Sequence, residues 1–402
     1  MSLPRLVHNS PDLSRLVNEG YVVRVRAGYL IIDDIPFVTS AATVVRGSFI
    51  CPLDTQGDTT AQPGTHVMWF THIPRSPDGT ELTSLIHQQG SFPLAAGVDA
   101  VCSSSQKAHG QGYVNFYDKV VAYAGLVVGH AQALDPAAVA TTFRPVMSDE
   151  PDSVFNYLDT NSSRAGITEL TERVAIPAVA IVGLGGTGSY LLDLLAKTPV
   201  RQLHLYDGDV FSTHNSYRAP GAATADELNA APPKVHHHAR RYQPLRRGII
   251  AHDSYVTVDN VTELLAMNFV FLAMDANPDK QVIVEALTAS DIPFIDTGIG
   301  VRRDANGLAG LLRVTHSFPE ARHHVETDQL ISYQLGDDAE YESNIQVAEL
   351  NALVAALAVI AFKKHYAFYA DAEHELHFLY RIDSNELVNR YGAADLDDAD
   401  EA

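Results

Sequence analysis

Several residue groups along this 402-residue chain are suited to holding a charged nucleotide. The first is Val179-Ala-Ile-Val-Gly-Leu-Gly-Gly-Thr-Gly-Ser-Tyr190. A short apolar run ends in Gly183, Gly185, Gly186 and Gly188 and opens into the apolar stretch Tyr190 to Ala196. This reads as a buried strand, a glycine turn and the start of a helix. Such a turn lets backbone amides approach a phosphate, and the helix N-terminus favours negative charge. Dehydrogenases, flavoenzymes and adenylating enzymes all use this pattern, so it does not name the nucleotide. Asp207 and Asp209 follow the next apolar run, about 20 residues on, where a carboxylate suits ribose hydroxyls. Asn215 and Arg218 lie in Thr213-His-Asn-Ser-Tyr-Arg218, and Lys234 follows Pro232-Pro233. Two separated cations suit a triphosphate, although both could instead pair with surface acids. Asp275 ends the apolar run Phe269–Met274. Buried there, it would need a partner; Mg²⁺ shared with phosphates is one, and capping the helix that begins near Pro278 is the alternative.

These groups need a scaffold that brings strand ends together. From Val179 onward, expected strands at 179–182, 202–206, 249–258, 269–274 and 293–296 alternate with helices, one running on to Lys197 and one over 280–289. That pattern implies an α/β fold, a Rossmann-like doubly wound, mostly parallel sheet. Residues 1–150 have a different texture. Strand-like runs at 21–26 and 29–32, turn residues, and helices expected at 114–132 and 136–140 describe a smaller α+β domain. The domain boundaries expected are 1–150, a linker and leading helix over 151–177, the nucleotide domain over 178–392, and an acidic tail over 393–402 expected to be disordered. Residues 345–362 read as a packed helix, since Gln346, Glu349 and Asn351 argue against a membrane span.

Composition limits the partners. The formal net charge is −21, which disfavours nucleic acid and anionic membranes. Two cysteines, Cys51 and Cys102, leave no disulfide framework and fit a cytoplasmic protein. No secretory signal is expected at the N-terminus. His236-His-His238 and His323-His324 with Glu326 read as solvated, because adjacent histidines point in different directions.

Taken in order, the motifs resemble the ThiF/MoeB/HesA superfamily, the adenylating core of ubiquitin-activating enzymes. Pro293-Phe-Ile-Asp-Thr-Gly298 resembles that family's next motif, and the likeness covers roughly residues 160 to 365. By this resemblance the 178–392 domain is a ThiF-type adenylation domain that binds ATP and Mg²⁺. Asp207 holds the ribose; Asn215, Arg218 and Lys234 meet the phosphates; Asp275 binds the metal. Arg164 matches an arginine that reaches the ATP site of a dimer partner, or else is a linker arginine in solvent. The implied substrate is the C-terminal carboxylate of a ubiquitin-like protein with a glycine tail, with a ubiquitin-conjugating-like protein as a further partner and a homodimer as the working form. The N-terminal half resembles an uncharacterised domain that precedes ThiF-type domains in bacterial proteins.

The chain departs from that family in four places. It has no pair of Cys-x-x-Cys motifs, so no zinc is expected. No cysteine follows Cys102, so thioester transfer onto its own thiol is in doubt; structural thiols are the better reading of both cysteines, neither having an evident activating cation. Ala219 replaces a glutamine, and Lys280 replaces an arginine. The rival readings are a nucleotide-binding scaffold without turnover, adenylation of a small-molecule or tRNA-linked carboxylate, and a Rossmann oxidoreductase.

Overall fold

A computed structural model describes residues 3–107, 112–148, 153–328, 330–333 and 345–390. The acidic segment 393–402 lies outside the described residues. The chain divides into two compact units, 1–151 with 157–168, and 152–156 with 169–402.

In the first unit, α1 (Leu3–Asn9) and α2 (Pro11–Asn18) precede a sheet of β1 (Val22–Arg26), β2 (Tyr29–Val38), β3 (Val44–Pro52), β4 (Val67–Phe70), β5 (Gln88–Ala95) and β6 (Val98–Ser105). The order is β1-β2-β3-β4-β6-β5, antiparallel throughout. Helix α3 (Phe116–Gln132) packs on β2 and buries Phe116, Val120, Tyr123 and Val127 against Phe37, Phe49 and Phe70. Asn115 starts α3 by accepting the Asp118 N–H at 2.7 Å. The helix expected over 136–140 is absent; those residues form turns and coil. A short helix, α4 (Thr160–Ala165), capped by Asp159, carries Arg164.

The second unit is built on one sheet. Its strands are β7 (Ala178–Val182), β8 (Gln202–Tyr206), β9 (Ile249–His252), β10 (Phe269–Leu272), β11 (Phe294–Asp304), β12 (Gly307–Ser317), β13 (His377–Arg381) and β14 (Glu386–Arg390). Their order is β9-β8-β7-β10-β11-β12-β13-β14. The first five are parallel and the last three extend the sheet antiparallel. Every residue of β7 and β10 is buried, as a central parallel strand covered on both faces requires. One face carries α5 (Gly186–Leu195), α6 (Lys234–Tyr242) and α8 (Ala348–His365); the other carries α7 (Pro278–Ala289). None of the described helices is long and apolar enough to cross a membrane.

Three strand ends differ from the sequence expectation. The third strand stops at His252, and β10 stops at Leu272, leaving Asp275 three residues beyond it. The fifth strand runs on to Asp304 and turns back as β12. Pairing of β10 with β11 ends at Leu272↔Asp296, whereas β11 and β12 stay paired to Asp304↔Gly307. Beyond Asp296, β11 therefore has one paired edge and one with no strand on it among the described residues.

Candidate functional site

The glycine turn departs from the end of β7, the strand at the middle of the parallel set. Gly183 adopts φ +90°, and a Cβ there would lie 2.5 Å from the Ala273 carbonyl oxygen. A Cβ on Gly188 would collide with the Gly183 carbonyl, and one on Gly186 with the Asn351 side chain. The turn is thus closed by packing on three sides. Gly183→Ala is expected to cost about 1–3 kcal/mol through its positive φ and this contact. The checks are the denaturant midpoint and the affinity for ATP, both of which should fall.

A cavity of about 450 Å³ opens over this turn, at the carboxyl ends of β7, β8 and β10. Its wall includes Gly183, Gly185, Gly186, Asp207, Asp209, Arg218, Lys234 and Asp275, so most of the residues singled out by sequence converge. The Leu184 N–H donates to Asp207 Oδ2 at 2.7 Å, and the Asp209 N–H to Oδ1 at 2.9 Å. Asp207 therefore also shapes the turn. Lys234 Nζ donates to Asp209 Oδ2 at 2.6 Å and lies 3.6 Å from Asp207 Oδ1. The Tyr255 hydroxyl donates to Asp209 Oδ1. These bonds, that of Lys234 first, hold the Asp209 carboxyl below its usual range, and the bond to Asp209 pushes the Tyr255 phenol up to about 12. Arg218 is half-buried on the wall, and its Nε has no hydrogen-bond partner among the described residues. Burial lowers the Arg218 pKa, and Asp275 opposes that shift. An orphaned guanidinium nitrogen on a cavity wall fits an anionic ligand.

Three placements correct the sequence reading, and a fourth, that of Arg164, is compatible with both readings of it. Asp275 is exposed at the cavity rim, not buried. The cap of α7 is Asn277, whose Oδ1 accepts the Lys280 N–H at 2.9 Å, so Asp275 has no capping role there. Asn215 is buried away from the cavity wall; its Oδ1 accepts the Ser212 N–H at 3.0 Å and holds the loop that carries Arg218. Gly188 likewise does not line the cavity but lets α5 start against the turn. Arg164 is an exposed residue of the first unit.

Sequence reasoning missed Tyr255, Thr187, Asn351 and Gln346. Asn351, on α8, accepts from the Thr187 hydroxyl at 3.1 Å and donates to the Arg218 carbonyl at 3.4 Å. It ties the glycine turn to the arginine loop. Gln346 lines the cavity with its Oε1 buried and unpartnered among the described residues.

A second cavity of about 510 Å³ adjoins the first and shares Thr187, Ala273, Met274, Asp275 and Gln346 with it. Asp296 lies beneath it, fully buried, 2.6 Å from Lys280 Nζ and 2.5 Å from Arg313 Nη2. Lys280 is thus a buried partner of Asp296, not a free cation beside Asp275.

The histidines also differ from expectation. His236 and His323 are exposed, but His237, His238 and His324 are buried. His237 stacks on Phe211 at 3.8 Å, and His324 Nε2 donates to the His316 carbonyl at 2.7 Å. Burial pushes His238 down to about 3, so these rings are neutral core residues at pH 7. The Glu326 side chain lies outside the described residues.

Cys51 and Cys102 are both buried. A cation does stand beside one of them: Lys119, fully buried, donates to the Thr65 carbonyl at 2.9 Å, and its charge acts to lower the Cys51 pKa. Burial outweighs it, raising Cys51 to about 11 and Cys102 to about 12. Neither thiol is expected to react with iodoacetamide in the native protein at pH 8, whereas both should react once it is unfolded. Mass spectrometry of the two states checks this, and rapid native alkylation of Cys51 would make it a candidate acceptor thiol.

ATP and Mg²⁺ can be tested against these residues. The glycine turn, Lys234 and the orphaned Arg218 nitrogen fit a polyphosphate. Among the described residues, no three His, Cys, Asp or Glu side chains gather to hold a metal. Mg²⁺ bound with a nucleotide needs only one or two carboxylates, and Asp275 and Asp279 share the cavity wall.

Comparison with known proteins adds to this geometry. The profile of the ThiF family matches residues 148–383, and that of a domain of unknown function (DUF6791) matches residues 11–160. A tRNA threonylcarbamoyladenosine dehydratase from Escherichia coli (strain K12) is 26% identical over 122 residues, 30% of this chain and 45% of that protein. The chain therefore spans less than half the length of that curated relative. Similar solved structures include PaaA, at 19% identity and a TM-score of 0.42, covering 55% of this chain and 65% of that one. The microcin C7 biosynthetic enzyme MccB in complex with N-formylated MccA follows at 16% identity and 0.44, covering 55% and 66%.

Proposed function

Because the chain belongs to the ThiF family, we propose that its second unit adenylates a carboxylate with ATP. The observation that carries this reading is the cavity where Asp207, Asp209, Arg218, Lys234 and Asp275 surround the glycine turn. A carboxylate oxygen of the substrate bonds to the α-phosphorus of ATP, and the bond from that phosphorus to the pyrophosphate oxygen breaks. The attacking carboxylate is already ionised, so no proton has to move. Lys234 and Arg218 stabilise the charge that gathers on the phosphoryl and departing oxygens. Asp207 and Asp209 receive the ribose hydroxyls. Lys234 is held by both carboxylates at 2.6 and 3.6 Å, so it is positioned before the phosphates arrive. Mg²⁺ would be held by Asp275, with Asp279 beside it, and would supply neutralisation of phosphate charge.

The substrate we favour is the C-terminal carboxylate of a ubiquitin-like protein. The adjoining cavity supports it. Its wall includes Gly300, where a Cβ would meet only the Leu311 carbonyl oxygen at 3.9 Å, so an extended chain of small residues can lie close to the backbone there. A free small acid would leave that space unused. With no reactive thiol on the chain, a ubiquitin-conjugating-like protein would take the activated tail. The protein would work as a homodimer in the cytoplasm, with Arg164 of one subunit reaching the other's phosphates.

ATP–pyrophosphate exchange tests the reading. Exchange that requires a protein or peptide ending in glycine supports it. Exchange driven equally by free amino acids favours small-molecule adenylation, and ATP binding without exchange for any acid favours a scaffold.

A further inference from the structure

The second cavity follows the free edge of β11. Over residues 297–303 one edge of this strand is paired with β12 throughout, while the other faces the cavity with no strand on it among the described residues. In an antiparallel ladder alternate residues turn their N–H and C=O groups to the outer edge, so this edge offers a row of backbone partners for an added strand. Charge is concentrated at its far end. Arg302 lines this cavity. Arg303 lines the second cavity as well. Among the described residues Arg302 and Arg303 are exposed and make no ion pair. At the inner end Lys280 and Arg313 share the single buried Asp296, and Asp275 stands at the rim. This basic track belongs to a chain whose formal net charge is −21.

We infer that the substrate's tail adds as a strand along the free edge of β11, and that Arg302 and Arg303 select a tail carrying acidic residues upstream of its terminal carboxylate. The inference rests on the adenylation reading for the position of that carboxylate. From Gly298 to Arg302 is four residues, about 13 Å at about 3.3 Å per residue. Allowing for the reach into the nucleotide cavity, the selected acids lie about five to seven residues before the terminus. Opposite charge along the track raises encounter rate and fixes register, and like charge rejects other tails.

The test uses the full chain with ATP and two fluorescein-labelled decapeptides that end in Gly-Gly. They differ only in carrying three Glu or three Lys at the fifth to seventh positions from the end. By anisotropy at low salt, the Glu peptide is expected to bind at least about 10-fold more tightly, with the difference shrinking as salt screens it. In the doubly reversed variant R302E/R303E the preference should invert while ATP affinity stays the same. Equal binding of the two peptides, or a preference that survives the reversal, overturns the inference. Binding of the Glu peptide only after removal of residues 391–402 would assign the track to the chain's own acidic end and overturn it too. A Glu peptide that binds as expected but supports no pyrophosphate exchange would leave the track standing and remove the adenylation reading. Exchange that proceeds equally with both peptides would do the reverse.

Discussion

Asp275→Ala is expected to lower ATP–pyrophosphate exchange by about 100-fold or more while leaving the unfolding midpoint nearly unchanged. The magnitude follows from losing a preorganised group that manages charge developing at the reacting phosphorus. The unchanged midpoint follows from exposure: Asp275 sits at the cavity rim, beyond the end of β10, and does not cap α7. The substitution also removes the carboxylate that opposes the downward shift of the half-buried Arg218. Arg218 stays charged near neutral pH, so its contact with the phosphates should survive and ATP should still bind, with the loss falling on turnover. Raising Mg²⁺ should recover part of the activity if Asp275 holds the ion. Exchange within a few-fold of the parent would remove Asp275 from the reaction, and a fallen midpoint would make it a structural residue.

The parts of this site that were legible in the sequence share one origin. A central parallel strand is apolar along its length, so its end is marked where polarity begins. Asp207 directly follows β8 and Asp275 follows β10 within three residues, and both could be found this way. The glycines were legible because a positive φ at Gly183 and the close approach at Gly188 exclude side chains. Asn351 was not legible. It lies in an alanine-rich apolar helix, and its partners Thr187 and Arg218 meet it only once α8 packs on α5. The β11–β12 hairpin was missed for another reason. Gly298, Gly300, Gly307 and Gly310 interrupt the alternation that marks a strand. The buried histidines were misread because type and spacing say nothing about depth; His237 is inside because Phe211 stacks on it.

Asp296 shows how a strand-end carboxylate can serve the fold and the site together, and its removal should have the largest effect on stability. Its two oxygens are divided between Lys280 at 2.6 Å and Arg313 at 2.5 Å, and it is completely buried. Asp296→Ala would leave Lys280, almost as deeply buried, without a counter-charge. Breaking a buried pair from one side typically costs about 3–5 kcal/mol, because the remaining ion is desolvated and unpaired. Arg313 is partly exposed and keeps the Thr315 hydroxyl at 2.8 Å, so it can relax toward the cavity. The penalty therefore resides in Lys280, and removing it should relieve the loss. Asp296→Ala combined with Lys280→Met is expected to be more stable than Asp296→Ala alone, a coupling that a double-mutant cycle in urea would read directly. The double variant keeps the net charge of this cluster, because one negative and one positive group leave together and Arg313 remains, so its exchange should stay within a few-fold of the parent's. If the two substitutions were additive, Lys280 and Asp296 would not act as a pair. If the folded double variant instead lost exchange, Lys280 or Asp296 would have a part in holding the substrate carboxylate beyond the net charge of the cluster.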